Sequence, residues 1–173
     1  MERLLSDTLA SPVGTLTLVA GERGLRAVLW PDEPAARVVL PDTLPVGELD
    51  DGSPARRVLT EAARQLREYF DGSLQVFDLP LDPVGTEFQL QVWQVLRTIP
   101  YGATITYGEQ AALLGDRNKS RAVGAANGRN PISIVVPCHR VVGSTGALTG
   151  FAGGIDAKSW LLRHEQGTRA LPL

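Results

Sequence analysis

The only cysteine of this 173-residue chain lies in the stretch IVVPCHRVV, directly before a histidine and an arginine. Cys138 is a candidate nucleophile, because a neighbouring imidazole and a fixed cation lower the pKa of a thiol and raise its thiolate fraction. His139 and Arg140 supply those two groups. The alternative is a small buried hydrophobic residue, which describes most cysteines. Pro137 cannot donate a backbone hydrogen bond, so we expect a strand that ends there and leaves Cys138 at its end.

A histidine that accepts the thiol proton needs a partner that fixes its tautomer. In an extended chain Cys138 and His139 point to opposite faces, so contact between them requires a bridging water or a sharp turn. Glu165, in the stretch RHEQG, is the carboxylate that a folded-back helix can bring to His139. The alternative for Glu165 is a solvated surface charge. Cysteine hydrolases use the same residue types, so these three residues alone leave a hydrolase open.

The composition indicates a globular chain that forms one domain or two small ones. Hydrophobic residues make up 43% of the chain and charged residues 21%, which is typical of folded proteins. One cysteine and two histidines offer no spacing for a zinc site, so we expect no metal and no cofactor. The N-terminus lacks the apolar segment of a signal peptide and no apolar run is long enough to span a membrane, which favours a cytoplasmic protein.

Charge is divided unevenly along the chain, although the net charge is only -2. Residues 1–82 carry 8 basic and 14 acidic side chains, whereas residues 83–173 carry 9 basic and 5 acidic ones. Residues 117–140 contain five cations and no acid: Arg117, Lys119, Arg121, Arg129 and Arg140. A solvated face and a phosphate-binding surface both fit this pattern, and the asymmetry between the halves is a hint of the second.

Residues 1–82 predict a small α/β domain to which we assign no chemistry. Three apolar stretches predict strands, the first two of them joined as a hairpin through GERG: residues 14–20, 25–30 and 76–81. Residues 32–53 are rich in proline and acid and predict a loop. A helix follows, capped by Ser53, with Pro54 in its first turn and DGS at its end. Its apolar side chains form one stripe: Val58, Ala62, Leu66 and Phe70.

Residues 83–173 have the caps and periodicity of four helices. Their expected bounds, from cap to end, are residues 86–102, 107–115, 120–128 and 156–167. The apolar face expected for the first consists of Phe88, Val92, Val95 and Ile99. Tight turns between the first three helices fit a helix-turn-helix arrangement. The third helix is built from small side chains, which suit close approach better than the reading of base edges.

Residues 130–165, NPISIVVPCHRVVGSTGALTGFAGGIDAKSWLLRHE, closely resemble the active-site region of the O6-alkylguanine-DNA alkyltransferases, the methylated-DNA–protein-cysteine methyltransferases, whose hallmark is PCHRV. The likeness extends through FQLQVWQVLRTIPYGATITYGEQAALLG and SRAVGAANGRNP, and SPVGTLTLVAGERGLRAVLW resembles the N-terminal domain of the family. This short chain without zinc ligands is most similar to the bacterial Ogt-type members. The resemblance implies an α+β fold, with an RNase H-like domain in residues 1–82 and a mostly helical, winged-helix-like domain with a helix-turn-helix in residues 83–173.

The resemblance also implies DNA repair by direct damage reversal, without a cofactor. Cys138 would attack the alkyl carbon on O6 of guanine, and on O4 of thymine, and keep the group irreversibly as a thioether. His139 would act on the thiol through water, and Glu165 would hold His139. Asn130 would brace the turn between the recognition helix and the cysteine. The expected partner is double-stranded DNA containing O6-alkylguanine, bound by a monomer, alone or cooperatively.

Further residues match positions of the family that contact the base or the DNA. Tyr107 would hydrogen-bond N3 of the base, and the carbonyl of Val141 would accept from its exocyclic amine. The loop that covers the base and donates a backbone N–H to O6 corresponds to Phe151, Ala152 and Gly153. Arg121 would enter the duplex in place of the flipped nucleotide. The other expected DNA contacts, in a minor groove that favours small side chains, are Ala122, Gly124, Ala125, Asn127, Arg129 and Arg140.

Two other functions stay open at this point. A non-catalytic protein that binds alkylated DNA can share the same scaffold, although the binding-only relatives replace the cysteine. A cysteine hydrolase uses the same residue types, although nothing in the chain resembles the cysteine-bearing helix of papain-like enzymes.

Overall fold

The structure of the chain is a computed structural model that describes residues 2–34, 36–45, 52–148 and 150–169. The chain divides into two compact units, Met1–Val84 and Gly85–Leu173. Strands dominate the first unit and helices the second. The expected α+β class is therefore confirmed.

The N-terminal unit is a four-stranded sheet with one long helix packed on it. Its strands are β1 (Leu4–Leu9), β2 (Leu16–Gly21), β3 (Gly24–Leu29) and β4 (Thr43–Pro45). They lie in the order β3-β2-β1-β4, with β1 and β4 parallel and the other neighbours antiparallel. Helix α1 (Pro54–Asp71) packs against β1, β2 and β3. The β2–β3 hairpin confirms the prediction made around GERG.

Helix α1 begins and ends where its caps predict. The Ser53 side chain accepts a hydrogen bond from the backbone N–H of Arg56, and Gly72 adopts a left-handed conformation with a φ of 89°. Glycine reaches this conformation without the steric penalty that a Cβ brings, so it is the natural end for the helix. The predicted apolar stripe is wrong at its last position, because Tyr69 is fully buried and Phe70 only half-buried.

Residues 76–81, which alternate like a strand, do not form one. The segment makes one isolated bridge to Leu25, whose N–H donates to the carbonyl oxygen of Pro80 across 2.8 Å. Pro80 has no N–H with which to continue a ladder. Asp78 is bound by the side chain of Gln65 instead, which donates to its carbonyl oxygen across 2.9 Å and accepts from its N–H across 2.8 Å.

The sequence patterns do not predict β1 or β4. In β1 two adjacent leucines, Leu4 and Leu5, are both buried, so the strand lacks the alternation by which strands are recognised. Both strands are completed by pairing with distant parts of the chain, Leu5 with Ala20 in β2 and Leu4 with Thr43 in β4. Part of the expected loop, residues 46–51, lies outside the described residues.

The C-terminal unit is mostly helical. Its helices are α2 (Glu87–Leu96), α3 (Tyr107–Leu113), α4 (Ser120–Gly128) and α5 (Ile155–Arg169). Two 3-10 turns, Arg117–Lys119 and Cys138–Arg140, and two short parallel strands, β5 (Ile105–Thr106) and β6 (Val141–Val142), complete it. Thr86 and Thr106 each cap a helix with a capping box, which fixes where α2 and α3 begin. The predicted helix-turn-helix corresponds to α3 and α4.

Two predicted helices differ from those observed. Helix α2 ends at Leu96, and its buried face contains Trp93 and Leu96 rather than Phe88 and Val95. Helix α5 begins at Ile155 and continues past Gly167, so neither end lies where predicted. Its first turn is fixed by a hydrogen bond from Lys158 N to the carbonyl oxygen of Gly154. Asp156 therefore lies inside the first turn, where a carboxylate favours the helix dipole without capping it.

Candidate active site

Cys138 lies in a buried turn and not at the end of a strand. Pro137 precedes a single 3-10 turn over Cys138–Arg140, and the backbone N–H of Cys138 donates to the carbonyl oxygen of Val136 across 2.9 Å. The apolar run before it folds back on itself, with Val136 N donating to the carbonyl oxygen of Ile132 across 2.9 Å. The predicted strand before Cys138 is therefore wrong. Residues 132–136 are buried, but they form a folded-back loop and pair with no strand of a sheet.

Asn130 joins the two arms of this loop. Its side-chain Nδ2 donates to the carbonyl oxygen of Val136 across 2.8 Å and to the Sγ of Cys138 across 3.3 Å. Its Oδ1 accepts from the backbone N–H of Ile132 across 3.0 Å. Asn130 is completely buried and follows α4 by two residues. One buried side chain therefore links the end of α4 to the sulfur.

The tip of the loop is strained. Ile134 has a φ of 72°, and no other non-glycine residue in the described ranges has a positive φ. A β-branched residue is rare in this conformation, and such strain costs on the order of 1–3 kcal/mol. The Ile134 side chain is completely buried. Burial of that side chain and the hydrogen bonds of Asn130 offset the strain.

His139 and Arg140 both contact Glu165 of α5. Glu165 Oε2 lies 2.7 Å from His139 Nε2 and accepts from Arg140 Nη2 across 3.1 Å. Glu165 Oε1 accepts from Arg140 Nε across 2.8 Å and from the backbone N–H of Gly102 across 3.3 Å. His139 and Glu165 are completely buried. The structure thus brings the predicted histidine and carboxylate into contact and adds Arg140 to them, while the sulfur of Cys138 contacts Asn130.

The surroundings of this cluster perturb the pKa values of its members. Burial lowers the pKa of His139, although the hydrogen bond and charge of Glu165 act in the opposite direction. Burial also opposes ionisation of Glu165, but the hydrogen bonds of His139 and Arg140 and the positive charge of Arg140 outweigh it and hold the pKa of that carboxyl well below its usual range. At neutral pH Glu165 is therefore ionised while His139 is neutral.

Arg140 does not lie on a DNA-facing surface, which corrects the expectation drawn from its charge. Only 6% of its surface is exposed. Besides Glu165, its guanidinium donates from Nη1 to the carbonyl oxygen of Ile99 across 2.7 Å and lies 5.7 Å from the ring centroid of Tyr101. A buried guanidinium requires partners of this kind, and these contacts use its donors within the protein.

Lys158 is a residue near the site that the sequence analysis does not identify. Its side chain is completely buried, and its Nζ lies 6.0 Å from the ring centroid of Tyr107 and 5.8 Å from that of Phe151. Burial lowers the pKa of Lys158, and the charge of Cys138 opposes this effect. Helical spacing in the sequence could have identified Lys158 as a buried residue, because it shares one face of α5 with other buried side chains: Leu161, Leu162 and Glu165.

The residues expected to hold the base lie in β6, at the start of α3 and before α5. Val141 is buried in β6, where it pairs with Ile105. Tyr107, the first residue of α3, is half-buried. The expected lid residues are also half-buried: Phe151, Ala152 and Gly153. Lys158 brings Tyr107 and Phe151 into one group, since its ammonium faces both rings.

Helix α4 presents small side chains and two arginines to solvent. Its exposed or half-buried positions include Arg121, Ala122, Gly124, Ala125 and, just after the helix, Arg129. A Cβ at Gly124 would lie 3.7 Å from the ring of Tyr107, which is ordinary van der Waals contact. The exposed face of α4 therefore adjoins the half-buried Tyr107.

Two buried hydrogen-bonding contacts fix the position of α4. The indole Nε1 of Trp93 in α2 donates to the carbonyl oxygen of Ala126 across 2.8 Å. The amides of Gln110 in α3 and Asn127 in α4 exchange two hydrogen bonds of 2.9 and 2.7 Å. Asn127 is therefore buried in the helix-turn-helix, and its predicted place among the DNA contacts is wrong. Both hydrogen bonds described for the side-chain amide of Asn127 are made with Gln110.

The parts of the chain that the structure describes contain no group of three or more His, Cys, Asp or Glu side chains that could hold a metal ion. None of the described helices is long and apolar enough to cross a membrane.

Comparison with known proteins identifies both units. Residues 87–167 match the sequence profile of the DNA binding domain of 6-O-methylguanine DNA methyltransferase, and residues 4–83 match that of its ribonuclease-like domain. The chain belongs to the 6-O-methylguanine DNA methyltransferase family. The resemblance drawn from the PCHRV region is thereby confirmed, as are the RNase H-like and DNA-binding characters of the two parts of the fold.

Relatives in this family are similar over nearly the whole chain. A methylated-DNA–protein-cysteine methyltransferase of Shigella flexneri is 47% identical over 169 residues, covering 95% of this chain and 97% of that protein. One from Methanosarcina acetivorans is also 47% identical, over 90% of this chain and 94% of the relative. The crystal structure of the Mycobacterium tuberculosis OGT in complex with DNA has a TM-score of 0.82 at 42% identity, covering 96% of this chain and 94% of that one.

Proposed function

We propose that this family member repairs DNA by transferring the alkyl group from O6 of guanine to Cys138 in a single irreversible step. The observation that carries the proposal is the position of Cys138, whose sulfur is fixed by Asn130 and followed directly by the buried His139–Glu165 pair. A thiol beside a neutral histidine, itself oriented by a carboxylate, is the arrangement of an activated nucleophile.

The transfer needs no reactant besides the protein and the alkylated base. Cys138 gives up its proton to His139 through a bridging water, and the thiolate attacks the alkyl carbon. The new S–C bond forms as the C–O6 bond breaks, and its electron pair stays on the guanine. A hydrogen bond from Tyr107 to N3 stabilises the negative charge that develops on the leaving base. The guanine anion then takes up one proton through solvent, matching the one that Cys138 gave to His139, so guanine ends with a proton in place of the alkyl group and Cys138 ends as a thioether.

Access to the base requires that the nucleotide leave the stack, because O6 lies inside the duplex. The exposed small side chains of α4 suit the minor groove, which is about 6 Å wide. Arg121, exposed near the start of α4, fills the space that the flipped nucleotide leaves. The base is then covered by the loop of Phe151, Ala152 and Gly153, which donates a backbone N–H to O6. The carbonyl of Val141 accepts a hydrogen bond from the exocyclic amine of the base.

Intact-protein mass spectrometry after incubation with duplex DNA containing O6-methylguanine tests the proposal. We expect a gain of one methyl group, located by peptide mapping at Cys138. Binding to the damaged duplex without a mass gain would indicate a non-catalytic lesion-binding protein. Hydrolysis of a thioester or amide substrate, with no methyl gain, would indicate a cysteine hydrolase. A parallel incubation with O4-methylthymine measures whether that base is a second substrate.

A further inference from the structure

Resting on the function proposed above, we infer that Arg140 is a positioning residue of the active site: its guanidinium keeps Glu165 ionised and so holds His139 as a neutral imidazole, with the proton on Nε2 and the lone pair on Nδ1. Arg140 would then act on the thiol through two other side chains, without touching substrate or DNA.

The contacts of Glu165 support the first step. Both of its oxygens face the arginine fork, at 2.8 Å from Nε and 3.1 Å from Nη2. This two-pronged contact is the geometry of an ionised carboxylate, which can only accept hydrogen bonds. The N–H of Gly102 occupies a further acceptor site on Oε1. If Glu165 were protonated, its O–H would compete with the N–H groups of Arg140 and Gly102 that already donate to its oxygens.

The tautomer of His139 follows from the state of Glu165. Because the carboxylate is an acceptor, His139 Nε2 at 2.7 Å must be the donor. The other ring nitrogen, Nδ1, is buried and has no hydrogen-bond partner among the described residues. In the neutral ring Nδ1 carries the lone pair. It is therefore the atom of His139 that can receive the proton of Cys138.

Burial is the main factor that disfavours an imidazolium at His139, and the positive charge of Arg140 adds to it. Glu165 alone favours the charged ring, whereas Arg140 and Lys158 both disfavour it. Without Arg140 a lone carboxylate would face His139 across 2.7 Å, and the pair would gain by taking up a second proton. An imidazolium has no lone pair and cannot accept the thiol proton.

Arg140 is also anchored independently of Glu165. Its Nη1 donates to the carbonyl oxygen of Ile99 across 2.7 Å, and the guanidinium lies 5.7 Å from the centroid of the Tyr101 ring. These contacts hold the guanidinium from the side away from Glu165's hydrogen bonds, through Nη1 and the face of the planar group. A lysine, with one point charge in place of the planar fork, cannot make the same set of contacts.

Proton NMR titration of the histidine rings tests this inference without any DNA. The chain has two histidines, so the His164→Phe background leaves His139 as the only imidazole and keeps an aromatic ring stacked on Trp160. In this background we expect Arg140→Met to raise the titration midpoint of His139 by at least about one pH unit. Arg163→Met, which removes an exposed arginine of α5 away from Glu165, is the matched control and is expected to leave the midpoint unchanged.

Two further variants separate a positioning role from a purely structural one. Arg140→Met combined with Glu165→Gln removes both charges, and we expect the His139 midpoint to return to within about half a unit of the parent value. Because Arg140→Met leaves a buried carboxylate and lowers stability, Arg140→Lys provides a milder test: it keeps a positive charge without the planar fork, so we expect the His139 midpoint to rise by less. An unchanged midpoint in Arg140→Lys and in every folded Arg140→Met variant would overturn the inference.

The pH profile of methyl transfer gives a second readout. We expect Arg140→Met to be slowed at least about tenfold at pH 6 and much less at pH 8.5, because its His139 regains the lone pair as the pH rises. An equal loss at both pH values would refute the positioning role. If the unaltered protein accepts no methyl group at all, the proposed function fails, and the titration of His139 still decides the role of Arg140.

Discussion

The amide of Asn130 donates a hydrogen bond to the Sγ of Cys138 across 3.3 Å and, from the same nitrogen, to the carbonyl oxygen of Val136 across 2.8 Å. The sulfur is thus tied to the end of α4 by one buried side chain. A change of size or charge at the sulfur therefore alters the hydrogen bond of Asn130. Because Asn130 follows α4, we expect the change to reach the helix that faces DNA in the proposed function.

Asn130→Ala is expected to lower the free energy of unfolding by about 1–3 kcal/mol, because it leaves the buried N–H of Ile132 without this partner and removes one of the two hydrogen bonds to the carbonyl of Val136. Urea denaturation measures the change. Asn118→Ala, at an exposed position of the same unit, is the matched control, with an expected change below about 0.5 kcal/mol. Equal stability of the two variants would contradict the bracing role of Asn130.

Cys138→Ser is expected to slow methyl transfer by at least about 1,000-fold, because a serine hydroxyl is a far weaker nucleophile at neutral pH. Affinity for duplex DNA should stay within about threefold, since serine is similar in size and can accept the hydrogen bond of Asn130. Single-turnover kinetics and a DNA-binding titration measure the two quantities. Residual transfer within tenfold of the unaltered protein would exclude Cys138 as the acceptor.

Each protein chain should react once. A thioether has no good leaving group, and the sequence has no second cysteine to take the alkyl group away. Titration with excess methylated DNA should therefore stop at one methyl group per chain. Because the methyl group crowds the contact between Asn130 and the sulfur, we expect the alkylated protein to be less stable by about 1–3 kcal/mol, as in other overpacked cores. Continued turnover would disprove the single-use mechanism, whereas an unchanged melting temperature would contradict only the effect on stability.

Arg121→Ala should slow the repair of duplex DNA far more than the reaction with a free alkylated base, because its proposed role is to fill the stack. A ratio of the two losses above about tenfold is expected. Arg163→Ala removes an exposed arginine from α5 and should change neither rate. Equal losses on both substrates in Arg121→Ala would mean that the residue acts in some other way.

The free energy of unfolding should fall as the pH is lowered below about 6.5, the pKa of histidine in an unfolded chain. Burial lowers the pKa of His139 in the folded protein. The unfolded chain then binds a proton that the folded chain does not, so stability is complete above this pH and is lost below it. Glu165, whose folded pKa is also lowered, adds a second loss below about pH 4.3.

Urea denaturation between pH 5 and 8 measures this effect. His139→Gln, which can still donate to Glu165, should flatten the dependence between pH 5 and 6.5. His164→Gln alters the other histidine, on the part of α5 that stacks on Trp160, and serves as the control. If both variants keep the slope of the unaltered protein, His139 is not its source.

Local signals predict much of the fold correctly. Ser53, Thr86 and Gly72 fix helix ends through their own side chain or backbone, so the neighbouring residues suffice to identify them. Strands β1 and β4 depend on partners that lie far away in the sequence, which local periodicity does not report. The run before Cys138 has the composition of a strand but is folded back by Asn130, a contact invisible in any local pattern.

The same distinction applies to the site. Cys138, His139 and Glu165 follow from residue chemistry, and the structure places His139 in contact with Glu165. Arg140 and Asn127 have the side chains of DNA-contacting residues, yet both are buried by partners on other elements, Glu165 and Gln110. The charge and polarity of a residue show what it can bind, but they do not show whether another part of the folded chain already binds it.

Glu165 comes 26 residues after His139 and 63 after Gly102, so the cluster joins three separated parts of the chain. During synthesis, which adds about 5–20 residues per second, the helix-turn-helix and the cysteine leave the ribosome before α5 does. The nascent chain therefore carries its thiol for some time without the carboxylate that orients His139. In the proposed function, the reactive state arises only when α5 docks, which delays the irreversible transfer until the helices of the C-terminal unit are complete.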